Sequence, residues 1–289
     1  MAGPSPSACY HRNLPNVDLH CHSTASDGLL GPAEVMRLAA ARSVSLISLT
    51  DHDETAGLAE ASAAAAELNM TFVPGVEVSV TWRAQTIHVV GLGFDAKDAG
   101  FAHGLAQLRA GREHRARRMA QELDRIGIHG SFEGASAYAV NPRLLSRTHF
   151  ARFLKERRFS PDTKSVFQHY LARGKPGYVA HEWATLQQAL RWICGSGGVA
   201  VIAHPGRYKL SNADLDSLLG AFRDAGGRAI EVISGQHTPR QSARFARLAR
   251  RFGLAASLGS DYHGPGESRL EPGRLPELPS DLTPVWNLL

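Results

Sequence analysis

Cysteine is scarce in this 289-residue chain, with three copies at Cys9, Cys21 and Cys194. An odd, scattered set excludes a disulfide framework and points to a reducing compartment, hence the cytoplasm. No run of 18 apolar residues occurs, which argues against a membrane-spanning helix and a membrane partner. Charged residues make up only 20% and hydrophobic residues 43%, a balance that excludes a disordered chain and supplies a sizeable core. Aromatics reach just 7%. The opening segment MAGPSPSACYHR has no apolar stretch of the kind a secretory signal needs, so residues 1–13 read as a flexible tail.

What the chain does have is histidine, 14 copies, and a formal charge of +5 that is unevenly spread. Between Leu108 and Val179 there are 15 Lys and Arg against 6 Asp and Glu, whereas the rest of the chain has 17 against 21. A basic patch on a slightly acidic body implies one place where an anion docks and argues against a general polyanion coat.

Short β-rich runs alternate with helical patterns, the signature of βαβ units around a mainly parallel sheet. Seven strands are expected: Asn16 to Cys21, Val44 to Thr50, Phe72 to Val80, Thr86 to Gly93, Val199 to Ala203, Ala229 to Ser234 and Leu254 to Gly259. Pro32 opens a helix, Thr185 caps one ending at Gly195, and Thr238-Pro239 starts another ending at Gly253. The alternation breaks after Gly93. Residues 108–179 read as an inserted, basic, mainly helical subdomain, leaving 14–107 and 180–289 for the main domain. Gly264 to Leu289 reads as an irregular tail that packs on it.

Metal-ligand residue types recur where strands end. In VDLHCHSTASDG, His20 and His22 are two apart on an extended chain and share a face, with Asp27 in the loop beyond. The second strand closes in TDHD around His52, the fifth in IAHP at His204, and the seventh in GSDYH at Asp261 and His263. FVPGVEVSV and TIHVVGLG read as a hairpin with a loop near Thr81 to Ala84. That loop sets Glu77 directly opposite His88, about 5 Å away. Six histidines, two aspartates and a glutamate gathered at one mouth would cost several kcal/mol unless something binds them. Nine such groups exceed what one tetrahedral ion takes and imply two or three divalent ions. Imidazole and carboxylate without thiolate suit manganese, with iron and zinc as alternatives. Cys21, between the two histidines, points the other way and reads as a small buried hydrophobe.

The helix LAQLRAGREHRARRMAQEL places Arg112 on the apolar stripe formed by Leu105, Leu108, Ala116, Met119 and Leu123, and Arg115 at its edge. Arg117 and Arg118 fall on the solvent face. A buried arginine needs an anion, so Arg112 and Arg115 are candidates to clamp a phosphate. Arg147, Thr148, Lys175 and Arg207 are further candidate donors. His237, like His149 and His181, is a candidate leaving-group acid or a structural residue, and Phe150, Tyr170 and Tyr178 are candidates to stack a base.

The motifs HxH…D, TDHD, GVEVS, IHVVG, IAHP and GSDYH together resemble the PHP (polymerase and histidinol phosphatase) family of the amidohydrolase superfamily. The insert, with SRTHFAR and GKPGYV, looks most like its branch of 3′,5′-nucleoside bisphosphate phosphatases and short-RNA 5′-nucleases. That resemblance implies a distorted (β/α)7 barrel with three ions at its mouth. One would take His20, His22, Glu77 and Asp261; a second Glu77, His88 and His204; a third Asp27, His52 and His263. Asp27 and His52 would then also face the substrate, and Glu77, Asp261 and His204 would hold the activated water.

The implied activity is hydrolysis of the 3′-phosphate of a nucleoside 3′,5′-bisphosphate, the basic insert holding the phosphate that is kept. The rival is a 5′-to-3′ exonuclease on short RNA or DNA 5′ ends. Histidinol phosphate phosphatase is weaker, since a monophosphate leaves Arg112 and Arg115 idle. A nucleotide-binding regulator should have lost ligands, and none is missing. No obligate protein partner is evident.

Overall fold

The computed structural model describes residues 15–289. The tail expected at residues 1–13 lies outside them, as does Cys9. Eight strands form the sheet: β1 (Val17–Asp18), β2 (Leu46–Leu49), β3 (Thr71–Trp82), β4 (Gln85–Leu92), β5 (Ala184–Thr185), β6 (Val199–Ile202), β7 (Ala229–Ser234) and β8 (Ala255–Gly259). Their order is β1-β2-β3-β4-β6-β7-β8, with the two-residue β5 added beside β3. Beyond β8 the chain returns to β1: Leu19 N donates to the Leu258 carbonyl at 3.1 Å and His22 N to that of Tyr262 at 2.8 Å. Seven strands thereby make a nearly closed α/β barrel. All neighbours are parallel except at β4, which runs antiparallel to both β3 and β6.

That exception follows from a two-residue turn. Arg83 and Ala84 both have positive φ, 44° and 61°, the backbone signature of the tight turn that suits a twisted hairpin. The turn centre lies later than the expected loop centre, and the register shifts by two residues. Glu77 pairs with Val90, and His88 pairs with Ser79. An even shift keeps each side chain on its own face, so Glu77 and His88 remain diagonal neighbours.

The helical caps form where the sequence places them. Pro32 opens α1 (Pro32–Ala40), α2 follows (Leu58–Glu67), and Thr185 accepts from Gln188 N at the start of α7 (Leu186–Gly195). After α8 (Asn212–Asp224), Thr238 caps α9 (Pro239–Phe252), which ends on Gly253 in the left-handed region.

α3 (Ala99–Asp124) is a 26-residue rod, about 39 Å long. Its first half buries Phe101, Leu105 and Leu108 in the barrel core. Its second half buries Ala116, Met119, Ala120 and Leu123 in a separate core with Phe150, Leu154, Val166 and Leu171. The change of partner therefore happens inside one helix, without a linker. The second core is closed by α4 (Ser131–Ser136), α5 (Arg147–Glu156), α6 (Thr163–Val166) and a π-helical turn at Phe167–Leu171. Among the described residues no helix is long and apolar enough to cross a membrane.

Candidate metal centre and anion pocket

Glu77 occupies the middle of the barrel mouth, fully buried. Its Oε1 lies 2.7 Å from His204 Nε2 and 2.8 Å from His88 Nδ1. Its Oε2 lies 2.9 Å from His52 Nδ1, 3.3 Å from His22 Nε2 and 3.4 Å from His20 Nε2. The two imidazoles of the first motif do converge, with 3.2 Å between their Nε2 atoms. Asp261 Oδ1 is 3.5 Å from His22 and 3.7 Å from His20, and Asp27 Oδ1 is 3.4 Å from His263 Nε2. All nine residues singled out as ligands thus meet in one cluster. Four subsets bring potential ligand atoms within 4.8 Å of one another: His22, Asp27, His52 and His263; His20, His204 and Asp261; His20, His22 and Glu77; and His52, Glu77 and His88.

The cluster has the chemistry of a cation site. Asp27 Oδ1, Glu77 Oε2 and Asp261 Oδ1 are buried, with imidazole nitrogens near them but no hydrogen bond of good geometry. Such oxygens are costly to desolvate unless positive charge meets them. Burial, with Arg207 nearby, pushes His204 down to about 3, and burial pushes His52 down to about 4, so both imidazoles are neutral, the ligand form. Burial alone would raise Glu77, but the surrounding histidines, His88 first among them, outweigh it and hold its carboxylate well below the usual range. His20 is raised despite burial, because Glu231 and Glu77 flank its ring.

Buried acids that the motif reading did not assign hold the ligands in place. Glu231 Oε1 is 2.6 Å from His20 Nδ1, and its other oxygen accepts from His204 N. Asp18 accepts from the backbone N–H of both His20 and Ser260. Asp51 gathers Ser23 and Ser26, shaping the loop that carries Asp27. A visible signal existed for Glu231, an acid inside the apolar strand AIEVIS. His204, Asp261 and Asp53 all have positive φ, at 27°, 54° and 52°. Three strained residues at one mouth are held there by the surrounding hydrogen bonds.

Beside the cluster lies a polar pocket. Asp27, His52, His88 and His263 line it together with Arg112, Arg115, Arg147 and Arg207. Thr148, Ser79, Ser146, Phe167 and Trp183 complete it. Arg112 is buried as expected, but the anion that keeps it there is internal. Its Nε donates to Asp53 Oδ2 at 2.7 Å and its Nη2 to Ser79 Oγ at 2.8 Å. Arg207 pairs with Asp261 Oδ2 at 2.8 Å. Arg115 and Arg147 have no carboxylate partner among the described residues. Arg115 donates to the Val179 carbonyl at 3.1 Å, and burial, then Arg147 and Arg112, press it down to about 9. Burial and Arg207 likewise lower Arg147.

Other candidates lie elsewhere. Lys175 is exposed on its Gly-flanked loop, away from the pocket lining. His237 is buried below the turn after β6, accepting from Gly206 N at 3.2 Å, with its other ring nitrogen 3.2 Å from the Val232 carbonyl. Phe150 is fully buried in the core of the insert, and neither Tyr170 nor Tyr178 lines the pocket. The aromatics that do are Phe167 and Trp183, the latter 4.9 Å under the Arg112 guanidinium.

The PHP domain family matches residues 18–233. The chain belongs to the PHP family. A 3′,5′-nucleoside bisphosphate phosphatase of Chromobacterium violaceum is 50% identical, over 96% of this chain and 97% of that protein. A 5′-3′ exoribonuclease Rnm of Salmonella typhimurium is 43% identical, over 93% of this PHP chain and 92% of its own. Among solved structures, an amidohydrolase from Chromobacterium violaceum with bound sulfate and no metal superposes with a TM-score of 0.92. It shares 50% identity and covers 94% of this chain and 95% of its own.

Proposed function

We propose that this PHP protein is a metal-dependent phosphoesterase that removes the 3′-phosphate of nucleoside 3′,5′-bisphosphates, giving the 5′-monophosphate and free phosphate. One observation carries the substrate reading: Arg115 and Arg147, without carboxylate partners, sit in the same pocket as His52, His88, Asp27 and His263. Two anion-binding functions side by side fit a substrate with two phosphates. The similarity to the bisphosphate phosphatase of Chromobacterium violaceum supports the same assignment.

Three divalent ions would be held by His20, His22, Glu77 and Asp261, by Glu77, His88 and His204, and by Asp27, His52 and His263. Manganese is the ion we assign. Such ions supply Lewis acidity to a phosphoryl oxygen and acidify a bound water. The chain itself does the rest. Arg115 and Arg147 grip the phosphate that is kept, with Thr148 beside them, while Asp53 locks Arg112 in the same pocket. Trp183, whose indole N–H donates to Thr86 Oγ1 at 3.2 Å, holds its ring against the guanidiniums of Arg112 and Arg115. Arg207, anchored on Asp261, lies between cluster and pocket and neutralises charge on the departing group. Free Cys21 and Cys194 suit action in the reducing cytoplasm.

The exoribonuclease relatives favour a second reading, cleavage at the 5′ end of short oligonucleotides with the same phosphate grip. Phosphate release from adenosine 3′,5′-bisphosphate with manganese, run beside a gel assay on 5′-phosphorylated oligonucleotides, separates the two. Rapid hydrolysis of histidinol phosphate with none of the bisphosphate overturns the assignment.

A further inference from the structure

A second arginine cluster lies outside the pocket and is unused by the proposed reaction. On α9, Arg240, Arg244, Arg247 and Arg251 recur at intervals of four, three and four. At 100° per residue they occupy a stripe about 60° wide. The stripe lines a groove between α8 and α9 with about 730 Å³ of free volume. The opposite wall contributes Asn212, which accepts from Arg244 at 2.7 Å, and Asp216, which pairs with Arg251. Among the described residues Arg240 and Arg247 face no carboxylate within 4 Å.

A charge run is ordinarily just a solvated helix face, and three features separate this one. The cations are all arginine, whose planar fork suits phosphate oxygens. They line a concavity, with one aspartate against four guanidiniums. The groove also starts at the barrel mouth, because Gln241 Nε2 donates to the Gly206 carbonyl at 3.3 Å, and the next residue, Arg207, lines the pocket. Successive arginines are about 4.5–6 Å apart along the axis, so they match a chain of anions better than a single phosphate.

We propose that the groove between α8 and α9 binds the phosphodiester backbone of a single-stranded oligonucleotide whose terminal nucleotide enters the arginine pocket. Terminal placement rests on the phosphoesterase reading, whereas binding in the groove does not. The test is fluorescence anisotropy of the metal-loaded enzyme with a 5′-phosphorylated twelve-nucleotide RNA carrying cleavage-resistant phosphorothioate linkages. Both substituted side chains in the Arg240→Gln/Arg247→Gln variant are exposed, so the fold should tolerate the change.

The expected result is a Kd at least about tenfold higher at low salt and a salt slope smaller by roughly 1.4, two cations' worth on a single strand. The KM for adenosine 3′,5′-bisphosphate stays the same. Unchanged RNA affinity and slope overturn the proposal, as does an equal loss in mononucleotide KM. It also fails if the variant loses binding to phosphatidylserine vesicles and retains RNA. Because binding is read without turnover, inactivity on the bisphosphate counts against the phosphatase reading alone.

Discussion

Five imidazoles surround the carboxylate of Glu77 at 2.7–3.4 Å, so this one side chain links most of the cluster. Glu77→Gln keeps the shape and removes the charge. Turnover should fall at least about 100-fold together with the metal content per chain, read by phosphate release and metal quantification. Arg115→Ala should instead raise KM and leave metal content intact, since Arg115 touches no member of the cluster. Arg112 is a less clean probe than its place in the sequence suggests, because it is half of a buried pair. Asp53→Asn leaves that guanidinium uncompensated and should cost roughly 3 kcal/mol of stability in urea unfolding. Most of the ligands were legible one by one because they stand at strand ends or in the loops just beyond, whereas Glu77 and His88, inside β3 and β4, were legible only through the pairing of the hairpin. Asp53 was on view in TDHD, yet nothing in a linear sequence says which carboxylate will meet Arg112 across the barrel wall.

At the scale of elements, α5 joins the insert to the centre. Its cap residue Ser146 accepts from Thr148 N and donates to Asp27 Oδ2 at 2.8 Å. Farther along the helix, Arg152 Nη2 donates to the Asp27 carbonyl, and its Nε and Nη2 both donate to the Glu267 carboxylate. Within the first turn His149 is fully buried, and its Nδ1 accepts from Ser146 N. Burial lowers it to about 4. The unfolded chain takes up a proton near pH 6.5 and the folded chain near 4, so stability is full above 6.5 and is lost as pH falls between those values. The loss should approach roughly 3 kcal/mol. His149→Asn keeps an acceptor for Ser146 N, and denaturant titrations should show it less sensitive over that window.

Most elements were readable from caps and periodicity, as Thr185, Thr238 and Gly253 illustrate. The exceptions were governed by long-range pairing. β1 has only two ladder residues, Val17 and Asp18 opposite Leu46 and Ile47, and β5 exists only where Ala184 and Thr185 meet β3. The turn at Arg83-Ala84 lacks the glycine or asparagine that usually announces positive φ.

Across the whole molecule, the excess of positive charge in residues 108–179 first suggests that all anion recognition lives in the insert. α9 modifies that picture, since five of its 14 residues are arginine and none is acidic. The net negative balance of the barrel hides a basic stripe on its outer wall.

Because α3 runs unbroken from one hydrophobic core into the other, the backbone that carries Arg112 and Arg115 is anchored on both sides and held at a fixed distance from the barrel mouth. On the proposed function, the gap between the arginines and the cluster acts as a ruler set to two phosphates on one sugar, and an isomer with its second phosphate on the 2′ carbon would present the wrong length. Nucleoside 2′,5′-bisphosphates should therefore bind the arginines with similar Kd yet turn over at least about tenfold more slowly than the 3′,5′ isomers, a difference visible in kcat from parallel phosphate-release assays.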